Sequence, residues 1–392
     1  MKSKVMLLCL ILGLMMPAAA KAEGLNLNEG PLLKMPETIP DKFSYDSGVD
    51  IPYPEDGVKG IFVTGYSAGG ERMSNLVSLL NDTDLNAMVV DVKEDAGNIM
   101  MPLEGASEMA QENMQNYVDP NQLMETMESE SIYPIARIVA FKDSNLAKAR
   151  PDLSFTHDDG TVWKNGRGES FVNPFLKEVW DYNVDIAIQA AKLGFKDIQF
   201  DYVRFPEGFE HRADSLNYDA AEYDDGNADD VQQRVNAVTD FVEYAREKLK
   251  PYNVDVSVDI FGYAATVPEA PGIGQNFSKI SNNVDVISSM IYPSHWGPGD
   301  FGFQTPDLEP YGVIDSYMEV ENEVLNSLDS PPLSRPWIQD FTASYLGAGN
   351  YLNYGVEELE AQIQALHDNG VDEFLLWDAT NNYTRGVDYT PE

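Results

Sequence analysis

Two aspartates in this chain stand at matching places in two strand-like runs. In KDIQFDYVRFPEG (Lys196–Gly208), Ile198, Phe200 and Tyr202 alternate with Gln199, Asp201 and Val203, the period-2 pattern of a strand. Packing the apolar set on one side turns Gln199 and Asp201 to the other. Pro206 and Gly208 end the run soon after Asp201. In DVSVDIFGY (Asp255–Tyr263), Val256, Val258 and Ile260 share one side, which leaves Ser257 and Asp259 on the opposite one. Strands that neighbour one another lie about 4.8 Å apart. Two aspartates at adjacent strand tips can therefore flank one glycosidic bond, where retaining hydrolysis wants roughly 5–5.5 Å between carboxyl groups.

Aromatic residues gather at the same places. Tyr66, Tyr202, Tyr263, Tyr292, Trp296 and Trp377 fall at strand ends or just beyond them. Sugar rings present apolar C–H faces that stack on such side chains, while their hydroxyls want charged and polar partners. Arg204 and His295 are candidate hydroxyl donors, although Arg204 is equally able to pair with a carboxylate at the strand tips. In AMVVDVKED (Ala87–Asp95), outward Val90 and Val92 leave Asp91 and Lys93 facing inward. Arg137 shares parity with Ile135 and Val139, so parity alone does not place it. Each aromatic taken singly reads as core packing, and as a set they read as sugar subsites.

The elements that must carry these residues alternate. Strands are expected at Gly60–Ser67, Ala87–Asp95, Tyr133–Phe141, around Asp201, at Asp255–Tyr263, Val286–Trp296, Arg335–Phe341 and Glu373–Thr380. Helices are expected at Glu71–Asp82, Gln122–Ser129, Pro174–Gly194, Val231–Lys250, Val313–Leu328 and Val356–Gly370, two of them stopped by glycine. Eight strands alternating with helices predict an α/β protein with a single (β/α)8 TIM-barrel domain over residues 57–392, with its chemistry at the C-terminal strand tips. The long acidic connection Pro206–Asp230 predicts a lid or small subdomain over the site.

Composition narrows the field further. With 26 basic and 65 acidic residues the formal net charge is -39, which disfavours nucleic acid and anionic lipid as partners. A surface of that kind is expected to gain stability in salt, where self-repulsion is screened. Lys2 and Lys4, an apolar run from Val5 to Met16 and then PAAAKA read as a signal peptide over 1–22, with cleavage after Ala20 or Ala22. The run is too short for stable membrane insertion, and Cys9 inside it is the only cysteine. Export (periplasmic or extracellular) without disulfides is thus the expectation, with residues 23–56 as a Pro- and acid-rich strap. Four histidines without HxH or HExxH spacing argue against a zinc hydrolase and for no metal. GYSAGG (Gly65–Gly70) matches the G-x-S-x-G letters, but a nucleophile elbow on the first barrel strand is out of context. No P-loop or dinucleotide fingerprint occurs in a strand–helix setting, so no cofactor is expected.

IQFDYVRFP, VDIFGY, MIYPSHW and LLWDATNNYT, in that order, resemble a family of bacterial (β/α)8 barrels of glycoside hydrolase type, formerly catalogued as a domain of unknown function and distantly similar to the alpha-amylase superfamily. The resemblance covers most of Gly57–Tyr389 and implies an enzyme acting on carbohydrate. It also implies roles, with Asp201 as nucleophile after strand four and Asp259 as general acid/base after strand five. Asp259 is an aspartate where amylases use glutamate, and Arg204 follows the strand-four aspartate instead of preceding it. Asp91, Lys93, Tyr202, Arg204, Tyr292, His295, Trp296, Trp377 and Asp378 are expected to bind or orient a poly- or oligosaccharide. The alternative is a non-catalytic polysaccharide-binding barrel, which loss of one carboxylate would signal. Both carboxylates are present.

Overall fold

The computed structural model describes residues 43–391 apart from 225 and 227. The expected signal segment and the first part of the strap lie outside the described residues. Among those described, nine parallel strands make one sheet: β1 (Lys59–Val63), β2 (Ala87–Lys93), β3 (Tyr133–Val139), β4 (Asp197–Asp201), β5 (Asp255–Phe261), β6 (Val286–Met290), β7 (Leu333–Ser334), β8 (Trp337–Gln339) and β9 (Phe374–Trp377). Their order is β5-β4-β3-β2-β1-β9-β8-β6-β7, and β5 also pairs with β6, which closes the ring. The expected single strand Arg335–Phe341 is shorter and interrupted. Pro336 has no N–H for a ladder bond, so β7 and β8 are two pieces of one stave. Eight staves remain, and the protein is a (β/α)8 barrel.

Local sequence explains the placement of β4. Ile198 and Phe200 are buried outward, Phe200 edge-on to Phe241 of helix Asp230–Leu249 with ring centroids 5.4 Å apart. Asp197, Gln199 and Asp201 then form an inward polar column, and Gln199 Nε2 donates across the lumen to Ser288 Oγ at 3.3 Å. The preceding helix, Lys177–Leu193, buries Val179, Trp180, Val184, Ala187 and Ala191 at helical spacing. It stops at Gly194, which is left-handed at φ 117. A Cβ there would lie 2.4 Å from Val49, so both the conformation and the space demand glycine. Between β5 and β6 only short helices form, Tyr263–Thr266 and Phe277–Ser281.

Val49 belongs to the part of the strap that is described, which crosses the N-terminal end of the barrel. Lys196 Nζ donates to Val49 O at 2.6 Å, and Tyr53 OH donates to Glu373 Oε1 at 2.5 Å. Beneath it the wholly buried Arg335 bonds Asp197 Oδ2 at 2.7 Å, Glu373 Oε2 at 2.8 Å and Tyr53 OH at 3.0 Å. Removing that guanidinium leaves two buried carboxylates uncompensated, typically about 3–5 kcal/mol. Arg335→Met is therefore expected to lower the urea midpoint strongly, while kcat of the folded fraction stays at the wild-type value. A wild-type midpoint would show that the network contributes no stability.

Candidate active site

β4 delivers Asp201 as its last residue, and the chain turns sharply there. Tyr202 is left-handed at φ 51, a conformation that costs a side-chain-bearing residue roughly 1–2 kcal/mol. The turn is held by Tyr202 N donating to Asp201 Oδ1 at 2.6 Å and by Arg204 N donating to Tyr202 O at 2.9 Å. Its effect is to aim both the Asp201 carboxylate and the Tyr202 ring into the mouth of the barrel.

The guanidinium that faces Asp201 comes from β3. Arg137 is buried and donates from Nε (3.0 Å) and Nη2 (2.6 Å) to Asp201 Oδ2, from Nη1 to Asp91 Oδ1 (2.7 Å) and from Nη2 to Asp95 Oδ1 (2.9 Å). Strand register makes this possible, since Asp91 lies beside Arg137 and Val139 beside Asp201. Burial pushes Asp91 up to about 7 against the pull of Arg137. Burial also acts on Asp95, but Arg137 and Lys142 overcome it and hold that carboxyl down at about 2. Lys142 Nζ in turn bonds Asp95 Oδ2 and Glu169 Oε1, each at 2.8 Å.

β5 brings Asp259 into the same space. Trp337 Nε1, from β8, donates to its Oδ1 at 2.7 Å, and Oδ2 carries no protein hydrogen bond among the described residues. Burial first, and the nearby Asp201 charge second, hold the Asp259 carboxyl well above the usual range, outweighing Trp337 and Arg137. Two carboxyl groups in one low-dielectric space, one with its pKa raised, is the pattern that separates an acid from a base.

A cavity of about 480 Å³ at the C-terminal end of the barrel contains both aspartates. Tyr202, Arg204, Tyr292, His295 and Trp377 line it as well. Trp377 stacks on Phe62, with centroids 4.2 Å apart at 18°, and meets Trp337 edge-on. Tyr292 is buried and stands perpendicular to the His295 ring at 4.9 Å. His295 reaches solvent at the rim, yet the protein packed around it lowers its pKa.

Four expected binding residues are placed elsewhere. Asp91 faces inward but lies under Arg137. Lys93 corrects the parity reading, because the register shifts between Asp91 and Lys93 and pairs Lys93 with Ile138. Such a bulge moves one residue to the opposite face. Lys93 therefore points into the helix layer, fully buried, with Asp143 at 2.8 Å and Asn183 Oδ1 at 3.0 Å. Trp296 packs on Phe301 and Tyr317, and the Asp378 carboxylate accepts from Thr380 N and Oγ1 at 2.6 Å each. Tyr66 leans on Tyr117, and Tyr263 stacks on Phe261.

Other site residues have no strand-tip signature in the sequence. Glu169 and Arg167 come from the excursion after β3, and Glu207 and Arg212 from the one after β4. The second of these was expected as a lid or subdomain. It is docked as a wall, packed through Phe205, Phe209 and Tyr218 on Phe155 of the first excursion. Trp337 was legible only as a strand residue, and Arg137 only as one of ambiguous parity.

Residues 60–383 match the model of a family described as "Putative glycosyl hydrolase domain". Among solved structures, the PgaB (BpsB) glycoside hydrolase domain from Bordetella bronchiseptica is 15% identical over 82% of this chain and 94% of that one, with a TM-score of 0.55. A beta-galactosidase from the psychrophilic Marinomonas ef1 is 11% identical over 82% of this chain and 54% of that one, with a TM-score of 0.52. A hypothetical protein from Ruminiclostridium thermocellum ATCC 27405 is 29% identical over 51% of this chain and 96% of that one, with a TM-score of 0.44. The PgaB and beta-galactosidase likenesses are likenesses of fold. No curated protein matches the chain in sequence.

Proposed function

The chain belongs to the family described as "Putative glycosyl hydrolase domain" and is a glycoside hydrolase, and from that premise we propose that it is an exported enzyme cleaving a poly- or oligosaccharide between Asp201 and Asp259. The observation that carries the reading is the pair itself: two aspartates from adjacent staves in one cavity, with burial and the neighbouring Asp201 charge raising the pKa of Asp259. Asp259 gives its Oδ2 proton to the glycosidic oxygen as the bond from that oxygen to the anomeric carbon breaks. Asp201 takes the anomeric carbon, forming a glycosyl ester. Asp259, now a carboxylate, then accepts a proton from the water that attacks that carbon and frees Asp201. Arg137 is a positioning residue, fixing the Asp201 carboxylate through two bonds to Oδ2. Tyr202, Tyr292 and Trp377 offer ring faces and edges to sugar, and Arg204 and His295 offer donors. Export rests on the sequence of residues 1–22.

The test is release of reducing ends from a panel of polysaccharides, followed by a pH profile on the best one. Cleavage needs protonated Asp259, so kcat/KM is expected to persist above the pH at which an ordinary carboxyl loses its proton and to fall as pH rises through the raised pKa of that group. Glycans bound and never cleaved at any pH would instead support the non-catalytic barrel.

A further inference from the structure

Four of the ten arginines in the chain, Arg137, Arg167, Arg204 and Arg212, line the cavity that holds Asp201 and Asp259. That concentration runs against a chain with 65 acidic residues and 26 basic ones. Arg137 is committed to Asp91, Asp95 and Asp201, and Lys142 answers Asp95 and Glu169. The other three arginines belong to the two excursions that form the walls. Arg204 is buried, its guanidinium 4.8 Å from the ring centres of both Tyr202 and Phe261. Its one carboxylate partner is the exposed Glu207, at 3.3 Å. Arg167 and Arg212 have no carboxylate within ion-pair distance among the described residues, and Arg212 lies over Trp163. Asp91, Asp95, Glu169 and Asp201 are thus matched by Arg137 and Lys142, and the walls carry two guanidinium groups, those of Arg167 and Arg212, without a carboxylate partner among the described residues.

A guanidinium presents a planar fork of donors that suits carboxylate and sulfate oxygens. The net charge of the whole chain opposes an anionic ligand, but at physiological salt charges act over about 8 Å. A sugar inside the cavity feels its lining more than the distant surface. We propose that the substrate is an anionic polysaccharide, bearing carboxylate or sulfate groups that Arg204, Arg167 and Arg212 receive. This rests on the glycoside hydrolase reading and adds the substrate class to it.

The experiment measures binding to Asp259→Asn protein, so that turnover does not intervene. The probes are oligouronates and their carboxyl-reduced forms, and sulfated galactan oligosaccharides and their desulfated forms. The charged member of at least one pair is expected to bind roughly tenfold tighter at low salt, with the gap closing as salt rises. Adding Arg167→Gln and Arg212→Gln is expected to remove most of that preference. Preference within the uronate pair identifies carboxylate as the charge, and preference within the galactan pair identifies sulfate. Equal binding of charged and neutral forms, no binding of any probe, or a preference that survives both arginine substitutions overturns the inference. Wild-type cleavage of neutral glycans without charge preference would do the same while leaving the hydrolase reading intact. Charge-selective binding with no cleavage by wild type would sink the hydrolase reading and spare this one.

Discussion

Asp201→Asn is expected to lower kcat by on the order of 10⁴-fold or more, with sugar affinity nearly unchanged. Asparagine keeps the size of the side chain and one acceptor oxygen, so it can still accept either from Arg137 or from Tyr202 N, which donate to different oxygens of Asp201. What is lost is the charge that attacks or stabilises the anomeric carbon. Because that loss affects both steps of the reaction, substrates with activated leaving groups are expected to be no better than natural ones. Purified variant and wild type would be compared on a cleaved glycan and on an aryl glycoside. A variant retaining full rate on the glycan would place the reaction somewhere other than this cavity.

Asp259→Asn is expected to behave differently in two respects. Loss of a general acid costs typically 10²–10⁴-fold, and the deficit should shrink for aryl glycosides, whose leaving groups need little protonation. Rescue at position 201 instead would exchange the two roles. The second respect is stability. A carboxyl raised in the fold by burial and by the Asp201 charge binds a proton that its unfolded counterpart gives up near pH 4. Folding stability is therefore drawn down as pH climbs from that value toward the raised pKa. Asparagine escapes this cost, so Asp259→Asn is expected to melt above wild type at pH 7 and to lose the advantage below about pH 4. Equal melting temperatures at both pH values would contradict the buried, proton-holding environment.

Trp337 and Lys93 mark where reading along the chain runs out. Trp337 sits in RPWIQDF, where an apolar strand residue is expected, and nothing nearby says that its indole N–H reaches Asp259 across the closed ring. Lys93 obeys a strict alternation in the letters, and one bulged residue reverses it. Asp201 and Asp259 were legible because alternation in their strands is unbroken and a proline or glycine follows each.

The eight-stave barrel, the inward column of β4 and β5 and the two aspartates near its C-terminal end can all be read from the letters. These follow from a two-residue backbone period and from helix stops, which are local and act wherever the letters fall. Which cation faces Asp201 depends on how the staves come together. Arg204, three residues away, is swung aside by the left-handed turn at Tyr202 and sandwiched between rings. Arg137, 64 residues away, takes the place because parallel register sets β3 beside β4. Register, bulges and ring closure join distant parts of the chain, and no short stretch of sequence encodes them.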